Sequence, residues 1–300
     1  MVKFKKIASL AIIALFILMG TKSFVRPIKQ IKKVPLHKPE SYATRVPVLT
    51  YHDFVLGNQE HKYARNDSVL PIELFDEEMR YLYQNGYKTI TLPELENFVK
   101  HKSLLPLKSV AITMDDGYES DYKLAYPILK KYHFKATIFI IGKYIRQDGV
   151  KSKGPFPFLT YSEMKNSEDV FSFSSHTFNL HRTIGHKPAL AVVGEDQIVN
   201  DLEIEKDFLS QFNYEPYFAY PFGGYSDKVI RALKKVGIRM AFTTKEGDVM
   251  PGDNPYMLRR HIITPAVSFD EFKAIMGDTS YKDRLKIRFN HLIRHVHKIL

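Results

Sequence analysis

From about residue 46 onward, short apolar runs alternate with segments of helical periodicity. Val46–Tyr51, Ser109–Met114, Lys135–Gly142, Val170–Ser175, Tyr217–Tyr220, Arg239–Thr244 and His261–Thr264 are four to eight residues long and rich in Val, Ile and Phe. That length and composition predict buried strands. Between them, Phe75, Met79, Leu82 and Tyr83 fall on one face of a helix over 71–85 that Gly86 ends. Further helices are predicted over 122–132, after the Thr160/Glu163 capping box, over 195–212 with the stripe Ile198, Leu202, Leu209 and Phe212, and over 227–236 between Ser226 and Gly237. Two more are predicted over 268–276 and 282–299. Repeated β-α alternation implies a parallel sheet covered by helices, and seven strands in one body of this length fit a (β/α) barrel better than two domains.

The two ends of the chain break this pattern. Lys3, Lys5 and Lys6 precede a thirteen-residue apolar run from Ile7 to Met19. A cationic flank before a short apolar core is the layout of a secretory signal, and the run is shorter than the ~20 residues that comfortably span a bilayer. No A-x-A cleavage site follows, so residues 1–22 are read as a signal or a marginal membrane anchor and residues 23–45, rich in Lys and Pro, as a basic tether. The barrel is expected over 46–280, and 281–300 as a basic amphipathic helix.

Charge follows the same division. The formal net charge is +11, but residues 1–40 carry +8, residues 281–300 carry +5, and the body between them carries −2. A nucleic-acid enzyme would hold its basic excess around the active region, so nucleic acid is not an expected partner. Cationic ends on a neutral body suit an anionic envelope or membrane surface. With the signal, this places the body outside the cytoplasm, secreted or anchored to the outer face of the cell membrane or wall, and a monomer is expected. At 44% hydrophobic positions a wholly disordered chain is excluded. The absence of Cys excludes disulfides, a thiol nucleophile and Cys-ligated zinc.

In parallel β/α folds the reactive groups sit at the C-terminal ends of strands. Here those ends carry Tyr51-His52-Asp53, Asp115-Asp116-Gly117, His176 with His181 five residues on, Pro221-Phe222-Gly223-Gly224, Asp248, and Arg260-His261. Adjacent carboxylates after an apolar strand repel unless something relieves them. A divalent cation on one carboxylate and two imidazoles does so, leaves open coordination positions of the catalytic zinc type, and frees the other carboxylate as general base. Asp-Asp alone or His-x4-His alone carries little weight. Their arrival at successive strand ends carries the argument. His61, His101, His133 and the C-terminal histidines read as surface residues.

Thr113-Met114-Asp115-Asp116-Gly117, Ser175-His176-Thr177 through His181, and Tyr220-Pro221-Phe222-Gly223 resemble, in order, three motifs of the polysaccharide deacetylases, the NodB-homology carbohydrate esterases. The resemblance implies a distorted (β/α) barrel and metal-dependent removal of acetyl groups from N-acetylated sugars. It implies Asp115 as general base, Asp116, His176 and His181 as metal ligands, and Tyr220, Pro221, Phe222 and Gly223 as the acetyl-binding turn, with a backbone N–H near Phe222 on the oxyanion. Three departures from the common pattern stand out: four residues separate the histidines instead of three, Ala219 replaces the Arg two residues before Pro221, and without Trp the later acid-acid-Trp motif is missing. These resemble the intercellular-adhesion branch, which acts on poly-β-1,6-N-acetylglucosamine. By that similarity His52 is the general acid, His261 the runner-up, and Arg260 the substitute for the missing Arg in orienting Asp115. Zinc is the expected metal, with Co, Ni, Fe or Mn compatible with the same ligands. Alternative readings are a peptidoglycan or chitin-oligomer deacetylase and a catalytically silent carbohydrate-binding adhesion protein. Tyr63, Tyr118, Tyr144 and Tyr225 are candidate sugar-stacking rings.

Overall fold

The computed structural model describes residues 42–57, 68–152 and 154–277. The chain divides into one unit over Met1–Glu40, outside the described residues, and one over Ser41–Leu300 that carries everything below. The expected signal, most of the tether, the C-terminal helix and Tyr63 lie outside the described residues. Among the described residues no helix is long and apolar enough to cross a membrane.

Eight parallel strands build the sheet: β1 (Val48–Tyr51), β2 (Lys88–Thr89), β3 (Ser109–Asp116), β4 (Ala136–Ile140), β5 (Phe171–Ser175), β6 (Tyr214–Ala219), β7 (Met240–Phe242) and β8 (His261–Ile262). Seven run in the order β7-β6-β5-β4-β3-β1-β8, and β2 pairs with the start of β3. The segment leading into β8 touches both edges: Leu258 bridges Phe242 of β7, and His261 pairs with Leu49 of β1. The sheet is thus the curled half-barrel of a distorted (β/α) barrel.

Alternation along the strands sorts side chains onto two faces. Val48, Ala111, Phe139, Ala219 and Phe242 pack on one, together with Leu95 and Phe98 of a helix, α2 (Leu92–His101). Leu49, Tyr51, Ile112, Met114 and Ile138 face the other, under Phe75, Met79 and Leu82 of α1 (Ile72–Gln84) and Phe272 of α7 (Phe269–Met276). Tyr83, expected on the buried stripe of α1, is 55% exposed, because the stripe runs through Glu78 instead. The helix over 122–132 begins as a π-helical turn, Asp121–Ala125, before α3 (Tyr126–Lys131). Thr160 caps α4 (Tyr161–Lys165) as expected. Ile198, Leu202 and Leu209 are buried on α5 (Glu195–Leu209), whereas Phe212 lies beyond its end. Ser226 caps α6 (Asp227–Lys235). The body begins before residue 46: the Ala43 amide donates to Leu105 O, and Arg45 pairs with Asp248.

Glu78 is buried under β1 and accepts the Tyr51 hydroxyl at 2.8 Å. Burial pushes its carboxyl up to about 8, against the pull of the Tyr51 hydrogen bond. Between the ordinary 4.5 and about 8 the unfolded chain is ionised at this position while the folded chain holds a proton, so stability falls as pH rises through this window. Glu78→Gln keeps an acceptor for Tyr51 and removes the titration. At pH 8 its unfolding free energy, from chemical denaturation, is expected to exceed the parent's by on the order of a few kcal/mol, with the gap closing towards pH 4.5. A gap that does not change with pH would refute this account.

Candidate metal and acyl-transfer site

The two acids end β3 itself rather than following it. Asp115 lies on the Val48/Ala111 face by alternation. The turn then needs left-handed backbone, with φ +79° at Asp116 and +82° at Gly117. A Cβ on Gly117 would stand 2.8 Å from Ile140 Cδ1, so glycine meets both a conformational and a packing demand. The turn swings Asp116 over the rim, where its Oδ1 faces His176 Nε2 at 3.6 Å and His181 Nε2 at 3.5 Å.

His176 follows β5, and its Nδ1 contacts the Ala219 carbonyl at 2.7 Å. With Nδ1–H donating there, Nε2 keeps its lone pair for a cation. Burial holds this imidazole down to about 4, against the raising charges of Asp115 and Asp116, so it is neutral at pH 7. The His181 ring lies between the His176 and Phe222 rings, 4.7 Å from each. The three ligand atoms fall within 4.8 Å of one another. Asp116 Oδ1 is buried without a hydrogen-bond partner. A buried carboxylate oxygen left bare opposite two imidazole nitrogens is an arrangement that a divalent cation satisfies, and one Asp with two His is a suitable donor set.

Beside this triangle, Arg260 Nη1 and Nη2 each donate to one oxygen of Asp115 at 2.7 Å, with both residues almost fully buried. Burial alone would raise the Asp115 carboxyl. The Arg260 charge and hydrogen bonds outweigh it and hold the group well below the usual carboxylate range. Asp115 is therefore ionised and oriented by Arg260. Arg260, which immediately precedes β8, thus orients Asp115 as expected.

Comparisons with known proteins identify the family. A family model described as polysaccharide deacetylase matches residues 103–241. The Bacillus subtilis protein YxkH is 32% identical over 232 residues, 77% of this chain and 75% of its own length. A poly-β-1,6-N-acetyl-D-glucosamine N-deacetylase of Staphylococcus aureus is 30% identical over 217 residues, 71% of this chain and 73% of its own. The chain belongs to the polysaccharide deacetylase family. Among solved structures, the Streptococcus pyogenes deacetylase PplD superimposes with a TM-score of 0.68 at 27% identity, covering 79% of this chain and 99% of that one. IcaB from Ammonifex degensii gives 0.66 at 26%, covering 79% and 97%.

In this deacetylase the remaining expected residues divide sharply. His52 continues the alternation of β1 on the face of Asp115, its charge acts on both Asp115 and Asp53, and its Nδ1 is buried and unpartnered. His261 does not join the site. It pairs with Leu49 and so faces the opposite side of the sheet from Arg260, where its Nε2 meets Asp248 at 3.0 Å. Asp248 is shared with Arg45, so it too leaves the rim where the strand ends predicted it. Tyr220 is also corrected: its ring packs with Phe218 and Val229, and its hydroxyl donates to Tyr256 O at 3.0 Å, away from the cluster. Pro221, Phe222 and Gly223 form a short 3-10 turn at the rim. Phe222 has φ +57° and is 52% exposed. The turn's own bonds run from Gly223 N–H to Tyr220 O and Gly224 N–H to Pro221 O, leaving the Phe222 amide outside them. A Cβ on Gly223 would overlap the Thr244 side chain, which accounts for glycine there.

Of the acids behind the cluster, Asp53 stood beside His52 at a strand end in the sequence, whereas Asp121 carried no recognisable signal. Asp121 is fully buried with both oxygens unpartnered. Burial, then the charges of Asp53, Asp116 and Asp115, push its carboxyl well above the ordinary range. Asp53 accepts the Ser120 hydroxyl and the Phe54 amide. Tyr118 hydrogen-bonds Asp116, and its ring stacks on Phe158 at 5.1 Å. Tyr144 packs on Phe158 and is 41% exposed, and Tyr225 accepts from Lys245.

Proposed function

We propose that this deacetylase removes N-acetyl groups from a cell-surface poly-β-1,6-N-acetylglucosamine, with a divalent cation, zinc foremost, held by Asp116, His176 and His181. One observation carries the chemistry: the bare Asp116 oxygen opposite two imidazole nitrogens, next to an Asp115 clamped by Arg260. The linkage preference is supported by the Staphylococcus aureus relative, an N-deacetylase of that polymer.

Bound there, a cation supplies Lewis-acid polarisation of the acetamide oxygen and acidifies water. Asp115 takes the proton from the attacking water, its carboxylate kept ionised and aimed by Arg260. The Phe222 amide donates to the developing oxyanion. His52 gives a proton to the departing nitrogen, because an amide nitrogen leaves poorly as an anion. The C–N bond breaks, acetate is released, and a glucosamine unit remains. Each new ammonium turns a neutral polymer into a polycation that adheres to anionic surfaces. The N-terminal pattern of residues 1–22 supports an extracytoplasmic site of action, on the outer face of the membrane or in the wall.

The test is acetate release from β-1,6- and β-1,4-linked N-acetylglucosamine polymers and from peptidoglycan, with and without chelator, on the parent and on His52→Ala. The expected result is release from the β-1,6 polymer, abolished by chelator and restored by Zn²⁺, with His52→Ala losing turnover while retaining metal. Preference for a β-1,4 substrate overturns the linkage. Chelator-insensitive release overturns the metal role. Undiminished turnover in His52→Ala removes it as general acid.

A further inference from the structure

The two histidine ligands are separated by a loop with no regular structure, and five-residue spacing does not stack side chains as a helix would. Something else must hold His181 opposite His176. The amides of the intervening residues show how. Thr177, at φ +76°, donates to Ser175 Oγ at 3.2 Å, and Leu180 donates to Thr177 Oγ1 at 3.2 Å. Those two bonds are internal to the loop. The two central amides, Phe178 and Asn179, donate at 2.9 Å each to Oδ1 and Oδ2 of Asp201, on α5. The Lys143 amide, after β4, donates to Phe178 O from the other side.

Asp201 is buried in the middle of a helix, where a carboxylate neither caps the helix nor meets solvent. Aspartate is a poor helix former, and burying it is costly unless both oxygens are satisfied. One turn further on, Glu205 is also buried, its carboxylate against Gly142, where any Cβ would clash with it and with Phe178. The helix thus turns two acids towards the loops that flank the candidate metal site.

We propose that Asp201 is a positioning residue for the metal: its two oxygens fix consecutive amides of the Thr177–Leu180 loop and so set His181 at coordinating distance from Asp116 and His176. This rests on the metal reading above. Asp201 touches neither cation nor substrate, and it acts through His181. Removing it leaves the ligands present but poorly placed, as for partners that orient ligands from behind in other metal sites, where losses of ten- to a hundredfold in affinity are typical.

The test titrates the full-length protein with Co²⁺, whose absorption bands report the ligand set, with Zn²⁺ as competitor. Asp201→Asn is nearly isosteric, but its amide nitrogen faces an N–H donor and one of the two bonds is lost. It is expected to weaken Zn²⁺ binding about ten- to a hundredfold, with kcat recovering at saturating Zn²⁺ and substrate KM unchanged. In a double-mutant cycle with His181→Ala the two losses are expected not to add, because Asp201 has no ligand left to position. Should Asp201→Asn fail to fold, Asp201→Glu carries the same titration, since it keeps the charge but displaces both acceptors by a methylene. Parent-like Zn²⁺ affinity and Co²⁺ spectrum in the variant, or additive losses in the cycle, overturn the proposal while leaving the metal site standing. A parent protein that binds neither ion overturns the metal reading, and this proposal with it.

Discussion

Asp115→Asn is expected to lower kcat by between about a hundred- and ten-thousandfold, with substrate KM and bound metal nearly unchanged. The carboxamide fills the same volume but cannot accept a proton from water. The residues proposed to hold the cation, Asp116, His176 and His181, are not altered. The substitution also leaves the Arg260 guanidinium facing a neutral group in a buried setting, so some stability is lost as well. Rate and metal content are therefore measured on protein shown to be folded at the assay temperature. Retained turnover in a folded, metal-loaded variant would move the general base to another residue.

The second large effect is expected from Arg260→Met. Arg260 is buried, forks onto both oxygens of Asp115, donates to Thr243 O at 3.2 Å and stacks its guanidinium over Phe139. Methionine preserves much of the packing but strands a buried carboxylate. Breaking such a pair by removing one partner costs about 3–5 kcal/mol. The pH dependence changes sign with it. In the parent, the depressed Asp115 value adds stability above the ordinary 3.8 that is lost as pH falls through the folded value. In the variant, burial is unopposed and the carboxyl rises, so stability is lost as pH increases through the raised value. Chemical denaturation between pH 4 and 8 is therefore expected to show the deficit growing with pH, and the acid limb of kcat/KM moves to higher pH. Adding Asp115→Asn to Arg260→Met is expected to recover part of the stability without recovering activity. A pH-independent deficit, or no recovery in the double variant, would show that Arg260 acts by packing alone.

Much of this site was legible along the chain because its residues are contiguous with elements that local physics specifies. The apolar run ending in Asp115-Asp116-Gly117 is a strand by composition, and glycine marks the positive-φ turn that lifts Asp116 over the rim. The histidines announce themselves by position after a second strand. Helix α2 was not among the predicted elements, although Thr91, Pro93 and Glu94 stand at its start and Leu92, Leu95, Phe98 and Val99 are buried along one side. Arg260 and His261 were not separable, since both end the same short run. Only pairing of His261 with Leu49 shows that one faces Asp115 and the other Asp248.

Asp201 marks the other limit of sequence reading. Asp201 lies among Ile198, Leu202 and Leu209 on the buried stripe of α5, with Glu205 one turn on, and the pattern along the chain singled out neither acid. Which loop those acids meet is not encoded locally. The same holds for Tyr220, which adjoins the Pro221–Gly223 turn in sequence but whose ring packs beneath α6.

By itself the sequence determined the strand-helix alternation, the family, the paired acids and the imidazole pair, because each depends on residues within a few positions of one another. The tertiary structure decided which acid is clamped by Arg260, which histidine shares its face, and what holds the loop between His176 and His181. Those choices turn on strand register and on contacts between residues as far apart as Asp115 and Arg260, and a one-residue change of register would send each side chain to the opposite face of the sheet.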